Sequence, residues 1–221
     1  TALAAAAHEV GALMVLDCIA SGCVWIDMAA TGVDVLISAP QKGWSSTPSA
    51  GLVMLSARAA ERLEVTASNS FALDLKKWRA IMAAYEGGGH AYHATMPTDG
   101  LAAFRDTMAE TKAHGFDRLR DAQWQLGDAV RAHLKGLGLR SVAAEGFGAP
   151  GVVVSYTDDP EVQTGRAFAA RGVQIAAGVP LQIGEGPEFR TFRIGLFGLD
   201  KLYDVPGTLA RLTPALDAVL G

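Results

Sequence analysis

The sequence has little cysteine, and this shortage excludes a disulfide-rich scaffold. Only two of the 221 residues are cysteine, Cys18 and Cys23, which favours a reducing compartment, so we expect a cytoplasmic protein. The two cysteines do not have the spacing of a zinc site, and no histidine lies near them in the sequence. We therefore expect no metal and interpret both cysteines as buried apolar residues.

Strong charge and long apolar runs are also missing. The formal net charge is −4, and the 19 lysines and arginines are spread along the chain without a cluster, so no nucleic-acid partner is expected. No apolar run approaches the roughly 18 residues of a membrane span, so no membrane partner is expected. Because 50% of the residues are hydrophobic, the composition predicts a globular core rather than disorder.

Three short apolar runs, at residues 12–19, 33–38 and 51–56, organise the first part of the chain. Gly, Pro and Ser bound them, which is typical of strands buried on both faces of a sheet. Asp17 and Lys42 follow the first two runs. Because ligands of open α/β sheets bind at the carboxyl ends of the strands, we expect both side chains to face one crevice.

An acid and a lysine over one crevice suit a cofactor that has a basic ring nitrogen and an aldehyde. Pyridoxal phosphate (PLP) is such a cofactor, because a lysine forms a Schiff base with its aldehyde and a carboxylate keeps its ring nitrogen protonated. Taken singly, each residue has an ordinary interpretation. A lysine after a strand is usually a solvated surface residue, and an aspartate there is usually a turn or cap residue.

Two motifs together resemble the class V aminotransferases, with the alanine–glyoxylate and serine–glyoxylate group as the nearest kind. They are residues 17–22, Asp-Cys-Ile-Ala-Ser-Gly, and residues 32–43, Gly-Val-Asp-Val-Leu-Ile-Ser-Ala-Pro-Gln-Lys-Gly. The resemblance implies an α/β protein of PLP fold type I. Residues 1–97 would be the C-terminal part of the large PLP-binding domain, and residues 98–221 a linking helix and a small α/β domain. The family has a long N-terminal part before this point, so we expect a truncated fragment.

The resemblance also assigns roles to residues near the two motifs. It implies that Lys42 carries PLP, that Asp17 pairs with its pyridinium nitrogen, and that Ile19 presents its side chain to the ring face. Gln41 would donate its amide to the cofactor phosphate. Pro40 departs from the small polar residue often found there, and it removes one backbone donor next to that phosphate.

The loop at residues 92–97 carries a second group of candidate cofactor ligands. The resemblance implies that Tyr92 and Thr95 reach across a homodimer interface to the partner's cofactor phosphate. The ordinary alternative is a loop that precedes a helix with its N-cap at Thr98 or Asp99.

Arg193 is the candidate for substrate binding. A planar guanidinium binds the α-carboxylate of an amino acid through two hydrogen bonds, and Arg193-Ile-Gly matches the family's arginine motif. Arg190 is the competitor, but a spacing of three on a strand places the two residues on opposite faces. The ordinary alternative for Arg193 is a structural ion pair.

The rest of the chain alternates between helical and extended patterns, which indicates a second α/β unit with a mostly antiparallel sheet. We predict helices at residues 1–11, 57–63, 73–85, 98–137 with a break near Gly115, 160–171 and 202–220. We predict strands at residues 140–144, 152–157, 173–177 and 192–198.

The resemblance implies transamination between alanine or serine and glyoxylate or pyruvate, in which the freed Lys42 amine removes the α-proton. A PLP-dependent lyase of the same fold and a binding module without cofactor remain as alternatives. Related desulfurases carry His-Lys and a later reactive cysteine, whereas this chain has Gln41-Lys42 and no cysteine after Cys23. That difference argues against desulfuration.

Overall fold

The computed structural model describes residues 1–221 as two three-stranded sheets connected by two long helices. None of the helices combines the length and the apolarity that crossing a membrane requires. In chain order the elements are α1 (Ala2–Glu9), β1 (Val15–Asp17), α2 (Met28–Thr31), β2 (Val35–Ser38), β3 (Leu52–Leu55), α3 (Ala57–Glu64), α4 (Leu75–Glu86), α5 (Thr98–His114), α6 (Phe116–Gly136), β4 (Val152–Tyr156), α7 (Pro160–Gln163), α8 (Arg166–Ala169), β5 (Ala176–Ala177), β6 (Thr191–Gly195), α9 (Leu199–Leu202) and α10 (Val205–Leu220).

The first sheet has the order β1-β2-β3, with β1 parallel and β3 antiparallel to β2. Its three strands confirm the predicted extended runs. The prediction that they are buried on both faces is wrong, because Val15 is 52% exposed, Val53 38% and Met54 37%. β1 and β3 are the edge strands of a small sheet, so fewer neighbours cover them than would cover a central strand.

A buried carboxylate attaches α1 to the first sheet. Asp34 Oδ2 accepts hydrogen bonds from the backbone N–H of Met14 at 2.8 Å and from His8 Nε2 at 2.7 Å. Its Oδ1 accepts one from Ser56 Oγ at 3.1 Å. Burial by itself would raise the pKa of Asp34, but these hydrogen bonds outweigh it and the pKa is lowered.

The second sheet has the order β4-β6-β5, is antiparallel throughout, and packs against α6, which in turn packs against α10. A cluster of 15 buried residues fills the space between these layers. On α6 four large apolar side chains are buried at spacings of seven, four and four positions, which form the apolar stripe of an amphipathic helix. They are Leu119, Leu126, Val130 and Leu134.

The helix break near Gly115 is confirmed, since Gly115 separates α5 from α6 with φ at 105°. The single helix predicted for residues 160–171 is wrong. Gly165 adopts φ of 79°, a left-handed conformation, and separates the two four-residue helices α7 and α8.

Three other boundaries also differ from the predictions. Residues 140–144 form no strand and contribute only the isolated bridge between Ser141 and Ser155. The strand predicted at 173–177 is reduced to the two residues of β5. The last helix starts at Val205 because the Asp204 side chain caps it by accepting from the N–H of Gly207.

Candidate active site

Asp17 and Lys42 lie on adjacent loops at one edge of the first sheet. Asp17 is the last residue of β1 and stands beside Ile37 of the parallel strand β2. The N–H of Cys18 donates to Ile37 O at 2.8 Å, so the two strands stay paired up to the start of the loop that follows Asp17. The carboxyl ends of both strands thus meet at the same edge, where such sheets bind ligands.

The two loops touch through their backbones at Gly22 and Gly43. A Cβ atom on Gly43 would collide with the carbonyl oxygen of Gly22, because the two atoms would be well under 3.0 Å apart. Gly22 itself has φ of 66°. Glycine at these positions therefore allows the loop after Asp17 to contact the loop that carries Lys42.

Asp17 is exposed, and only one of its two carboxylate oxygens accepts a hydrogen bond. Its Oδ1 accepts a hydrogen bond from the N–H of Ile19 at 2.8 Å, and Oδ2 has no partner in the chain. The bond orients the carboxylate and leaves one oxygen for a ligand. The Ile19 side chain is half-buried, Gln41 is exposed, and Pro40 is buried.

Lys42 has no carboxylate partner and instead contacts an aromatic ring of the second part of the chain. Its Nζ lies 5.2 Å from the ring centroid of Phe197, within the range of a cation–π interaction. Phe197 follows β6, the strand that carries Arg193. The lysine amine is therefore free for covalent chemistry and faces the segment that carries the candidate substrate arginine.

Arg193 is held by one of its three guanidinium nitrogens. Its Nε donates to Ala177 O of β5 at 2.9 Å, and the two terminal nitrogens make no hydrogen bond or ion pair. The structural ion pair considered from the sequence is not formed. Arg190 precedes β6, and its Nη1 lies 3.4 Å from the carbonyl oxygen of Asp158. Both guanidiniums therefore keep two nitrogens for a carboxylate, and Arg193 is the one on the strand that leads to Phe197 beside Lys42.

Tyr92 and Thr95 contact each other. Their hydroxyl oxygens are 3.3 Å apart, and Tyr92 is 78% exposed. The following helix α5 has Pro97 as its N-cap, so the alternative cap at Thr98 or Asp99 is wrong. Within one chain neither hydroxyl makes a hydrogen bond to the loop of Lys42.

The structure adds residues at the site that sequence reasoning missed. Ser45 Oγ accepts a hydrogen bond from the N–H of Leu199 at 2.7 Å, across 154 positions of sequence. Gln123 of α6 donates to Leu196 O at 3.3 Å and to Pro150 O at 3.2 Å. No local sequence pattern could have indicated these contacts, because each joins segments that are distant along the chain.

An aromatic group connects both loops to the junction of α5 and α6. Trp25 and Trp44 have ring centroids 4.9 Å apart, Trp25 and Phe116 5.1 Å, and Trp44 and Phe104 5.8 Å. Trp25 Nε1 also donates to Phe116 O at 3.0 Å. The loops therefore pack against both long helices immediately beside Lys42.

Neither cysteine is suited to act as a nucleophile at this site. Cys23 is buried, and burial raises its pKa to about 12. Burial and then the charge of Asp17 raise the pKa of Cys18, which is only half-buried, so the prediction of full burial is right for Cys23 alone. Both thiols stay protonated at neutral pH, and the reactive form of a cysteine is the thiolate.

Comparisons with known proteins place this geometry in context. No family model matches the chain. The small subunit of the soluble hydrogenase of Synechococcus sp. is 26% identical over 188 residues, which are 85% of this chain and 48% of that protein. The 2-aminoethylphosphonate–pyruvate transaminase of Paraburkholderia phymatum is 29% identical over 215 residues, which are 95% of this chain and 56% of that protein.

Solved structures agree on the fold. The alanine–glyoxylate aminotransferase of Nostoc sp. matches with a TM-score of 0.80 and 24% identity, over 99% of this chain and 56% of that one. The aspartate aminotransferase of Thermus thermophilus matches with a TM-score of 0.78 and 26% identity, over 99% of this chain and 60% of that one. The chain spans about half the length of the curated relatives that it matches. The predicted resemblance is confirmed: in sequence and in fold the chain is similar to the class V, fold type I aminotransferases.

Proposed function

We propose that this chain supplies the lysine, the acid and the arginine of a PLP-dependent transaminase that acts on a small amino acid and a small 2-oxo acid. One observation carries the proposal. Asp17 and Lys42 stand on two touching loops at the carboxyl edge of a parallel strand pair, and neither has an ion-pair partner.

The donor set fits the two reactive ends of PLP. An unpaired primary amine, Lys42, suits the aldehyde, and a carboxylate with one free oxygen, Asp17, suits the protonated ring nitrogen. When bound, PLP would supply the electron sink for the charge that develops at the substrate α-carbon. Ile19 and Gln41 are proposed to contact its ring face and its phosphate.

The chain's own residues would then bind the substrate and move its proton. Arg193 holds the substrate carboxylate through its two terminal nitrogens, because Nε is already bonded to Ala177 O. With PLP bound, Lys42 would remove the substrate α-proton as a general base. Asp17 keeps a proton on the ring nitrogen, which sustains the electron demand at the reacting carbon.

The proposed substrates are alanine or serine as amino donor and glyoxylate or pyruvate as acceptor. A relative named for 2-aminoethylphosphonate and pyruvate adds a second donor class. A guanidinium binds a phosphonate by the same paired hydrogen bonds as a carboxylate, so Arg193 suits both. Comparing kcat/KM for alanine, serine and 2-aminoethylphosphonate with each acceptor would rank them.

We infer that the active site is completed in a homodimer, with Tyr92 and Thr95 serving the partner's cofactor phosphate. The support is their exposure and the absence of a hydrogen bond from either hydroxyl to the loop of Lys42. In a two-fold dimer each subunit lends its pair and receives one. Mixing a Tyr92→Phe, Thr95→Ala variant with a Lys42→Ala variant should restore activity, because one site of the heterodimer carries neither lesion. Failure of complementation in demonstrated heterodimers would contradict the shared site.

The domain division and the compartment are further parts of the proposal. Residues 1–97 contain one sheet and residues 98–221 the other, which supports a boundary between residues 97 and 98. The two free cysteines support a cytoplasmic location.

A half-reaction tests the function. The PLP-loaded protein is incubated with the amino donor and no acceptor, and the cofactor and the products are quantified. Transamination leaves the amine form of the cofactor together with an equal amount of 2-oxo acid. A lyase regenerates the aldehyde form during turnover, and a binding module stays colourless when PLP is added, so either result would overturn the proposal.

A further inference from the structure

The loop that carries Lys42 has an unusual backbone conformation at Ser45. The N–H of Ser45 donates to Lys42 O and the N–H of Ser46 to Pro40 O, both at 3.0 Å, so the loop folds back on itself around the lysine. Ser45 has φ of 57°, in the left-handed region that residues other than glycine seldom adopt. Such a conformation persists only where surrounding contacts hold it, and the contact here is made by the Ser45 side chain.

That contact reaches the segment after β6. Ser45 Oγ accepts from the N–H of Leu199 at 2.7 Å, and Leu199 is the first residue of α9. The first N–H groups of a helix have no partner inside the helix, and Gly198, the N-cap of α9, has no side chain to offer. Ser45 therefore caps a helix that lies far away in the sequence and satisfies the N–H of a buried residue.

The capped segment joins Lys42 to Arg193. It runs from Arg193 on β6 through Phe197, whose ring lies 5.2 Å from Lys42 Nζ, to Leu199. Gln123 fixes the middle of this segment by its hydrogen bond to Leu196 O. The bond from the Leu199 N–H to the Ser45 hydroxyl thus joins the lysine loop directly to the segment that follows the strand of the arginine.

We propose that Ser45 is a positioning residue for catalysis. Its hydroxyl holds the Lys42 loop against residues 195–199 and thereby fixes the distance between the lysine amine and the Arg193 guanidinium. An amino acid substrate must bridge these two groups, with its carboxylate on one and its amine beside the other. This inference rests on the proposed transaminase function. It predicts that loss of the hydroxyl affects substrate binding more than cofactor binding.

Four variants of the complete natural protein separate the hydrogen bond from the backbone conformation. Ser45→Ala removes the hydroxyl, and Ser45→Gly removes it while relieving the left-handed backbone. Ser45→Asn keeps an acceptor oxygen on a residue that tolerates this conformation. Ser46→Ala is the matched control, because the neighbouring Ser46 Oγ has no hydrogen-bond partner to lose.

The PLP content of each variant is determined first. Hydrogen exchange of the Leu199 amide and steady-state kinetics are then measured. Ser45→Ala and Ser45→Gly should speed exchange at Leu199 and raise KM for amino acid and 2-oxo acid, each by about tenfold, as expected for one lost hydrogen bond. PLP affinity should stay within about twofold of the parent. Ser45→Asn should restore most of the parent's slow exchange at Leu199 and most of its low KM, and Ser46→Ala should match the parent in both.

The outcomes distinguish this inference from the proposed function. If the parent binds no PLP on Lys42, the proposed function fails, and the substrate role of Ser45 fails with it. If the parent is a working transaminase but Ser45→Ala leaves KM or the Leu199 exchange rate unchanged, the positioning role alone is overturned. Normal kinetics in Ser45→Gly, with a defect only in Ser45→Ala, would assign the effect to backbone strain and would also overturn it.

Discussion

The two sheets of this chain differ in how completely their apolar faces are covered. The second sheet, with α6 and α10, encloses a cluster of 15 buried residues. No strand residue of the first sheet belongs to that cluster, and its Val15, Val53 and Met54 are between 37% and 52% exposed. The second sheet thus holds most of the hydrophobic core, whereas the first sheet carries Asp17 and Lys42.

This contrast indicates that the second sheet contributes most of the stability, whereas the first sheet carries the proposed lysine and acid and the second adds only Arg193 to the proposed site. Burial of apolar side chains is the main source of folding free energy, so the second sheet should dominate the unfolding transition. The site loops rely instead on backbone contacts, such as Gly22 against Gly43, and on the hydrogen bond from Leu199 to Ser45. Substitutions in the two regions should therefore differ in which measurement they change.

The largest loss of stability is expected in the core of the second sheet. Phe168 is fully buried, and its ring centroid lies 5.8 Å from that of Phe192. Phe168→Ala should lower the free energy of unfolding by about 3–5 kcal/mol, measured by urea denaturation. Phe147 is 84% exposed, so Phe147→Ala, the control, should change it by less than about 0.5 kcal/mol. A loss below about 1 kcal/mol for Phe168→Ala would contradict the assigned core.

The buried carboxylate of the first sheet should give a smaller, pH-dependent effect. Asp34→Asn should cost about 1.5–3 kcal/mol at pH 7, because it weakens three hydrogen bonds to a charged group. Since folding lowers the pKa of Asp34, its contribution is complete above the unfolded pKa of about 4 and is lost as the pH falls through the folded value. The stability difference from the parent should therefore shrink as the pH falls below about 4.

An exposed aspartate provides the control for that comparison. The side chain of Asp158 makes no hydrogen bond, so Asp158→Asn should leave both the stability and its pH dependence near those of the parent. A stability difference for Asp34→Asn that grows toward acid pH would show that the sign of the pKa shift is wrong.

The contact between the two loops should affect the site more than the fold. The Cβ of Gly43→Ala would clash with Gly22 O, so one of the two loops must move. We expect a stability loss of about 1–3 kcal/mol and a fall in PLP affinity of more than about tenfold, measured by PLP titration. A Cβ atom on Gly51 would meet no other atom within 4 Å, so Gly51→Ala is the matched control. Unchanged PLP affinity in Gly43→Ala would refute the importance of the loop contact.

The smallest effect is expected where α9 meets α5. Tyr203 Oη donates to Glu110 Oε1 at 2.6 Å, and burial, followed by this carboxylate, raises the pKa of Tyr203 to about 12. Tyr203 is 42% exposed, so Tyr203→Phe should cost only about 0.5–1 kcal/mol by urea denaturation. Tyr85 is 57% exposed and makes no side-chain hydrogen bond, which makes Tyr85→Phe the control. Equal losses for both variants would contradict a specific bond.

The parts of the fold that the sequence predicted are those set by local patterns. The three apolar runs became β1, β2 and β3; Asp17 ends β1 and Lys42 follows β2, as the runs predict. The break at Gly115 was predictable because glycine interrupts an otherwise continuous helical pattern.

The parts that were missed depend on neighbours far along the chain or on a single backbone angle. The exposure of Val15 follows from its place on an edge strand, which periodicity does not encode. Residues 160–171 form two helices because Gly165 has a left-handed φ, although the composition of this stretch favours one helix. The Ser45–Leu199 bond spans 154 positions, so no window of sequence contains both partners.

Chemical trapping of the cofactor is the most direct test of the proposed chemistry. The complete protein is incubated with PLP, reduced with borohydride, digested and mapped by mass spectrometry, with Lys42→Ala as the control. We predict a reduced cofactor adduct on Lys42 and none in the control. An adduct on Lys76 or Lys77, or on no lysine at all, would contradict the assignment of Lys42 as the cofactor-bearing residue.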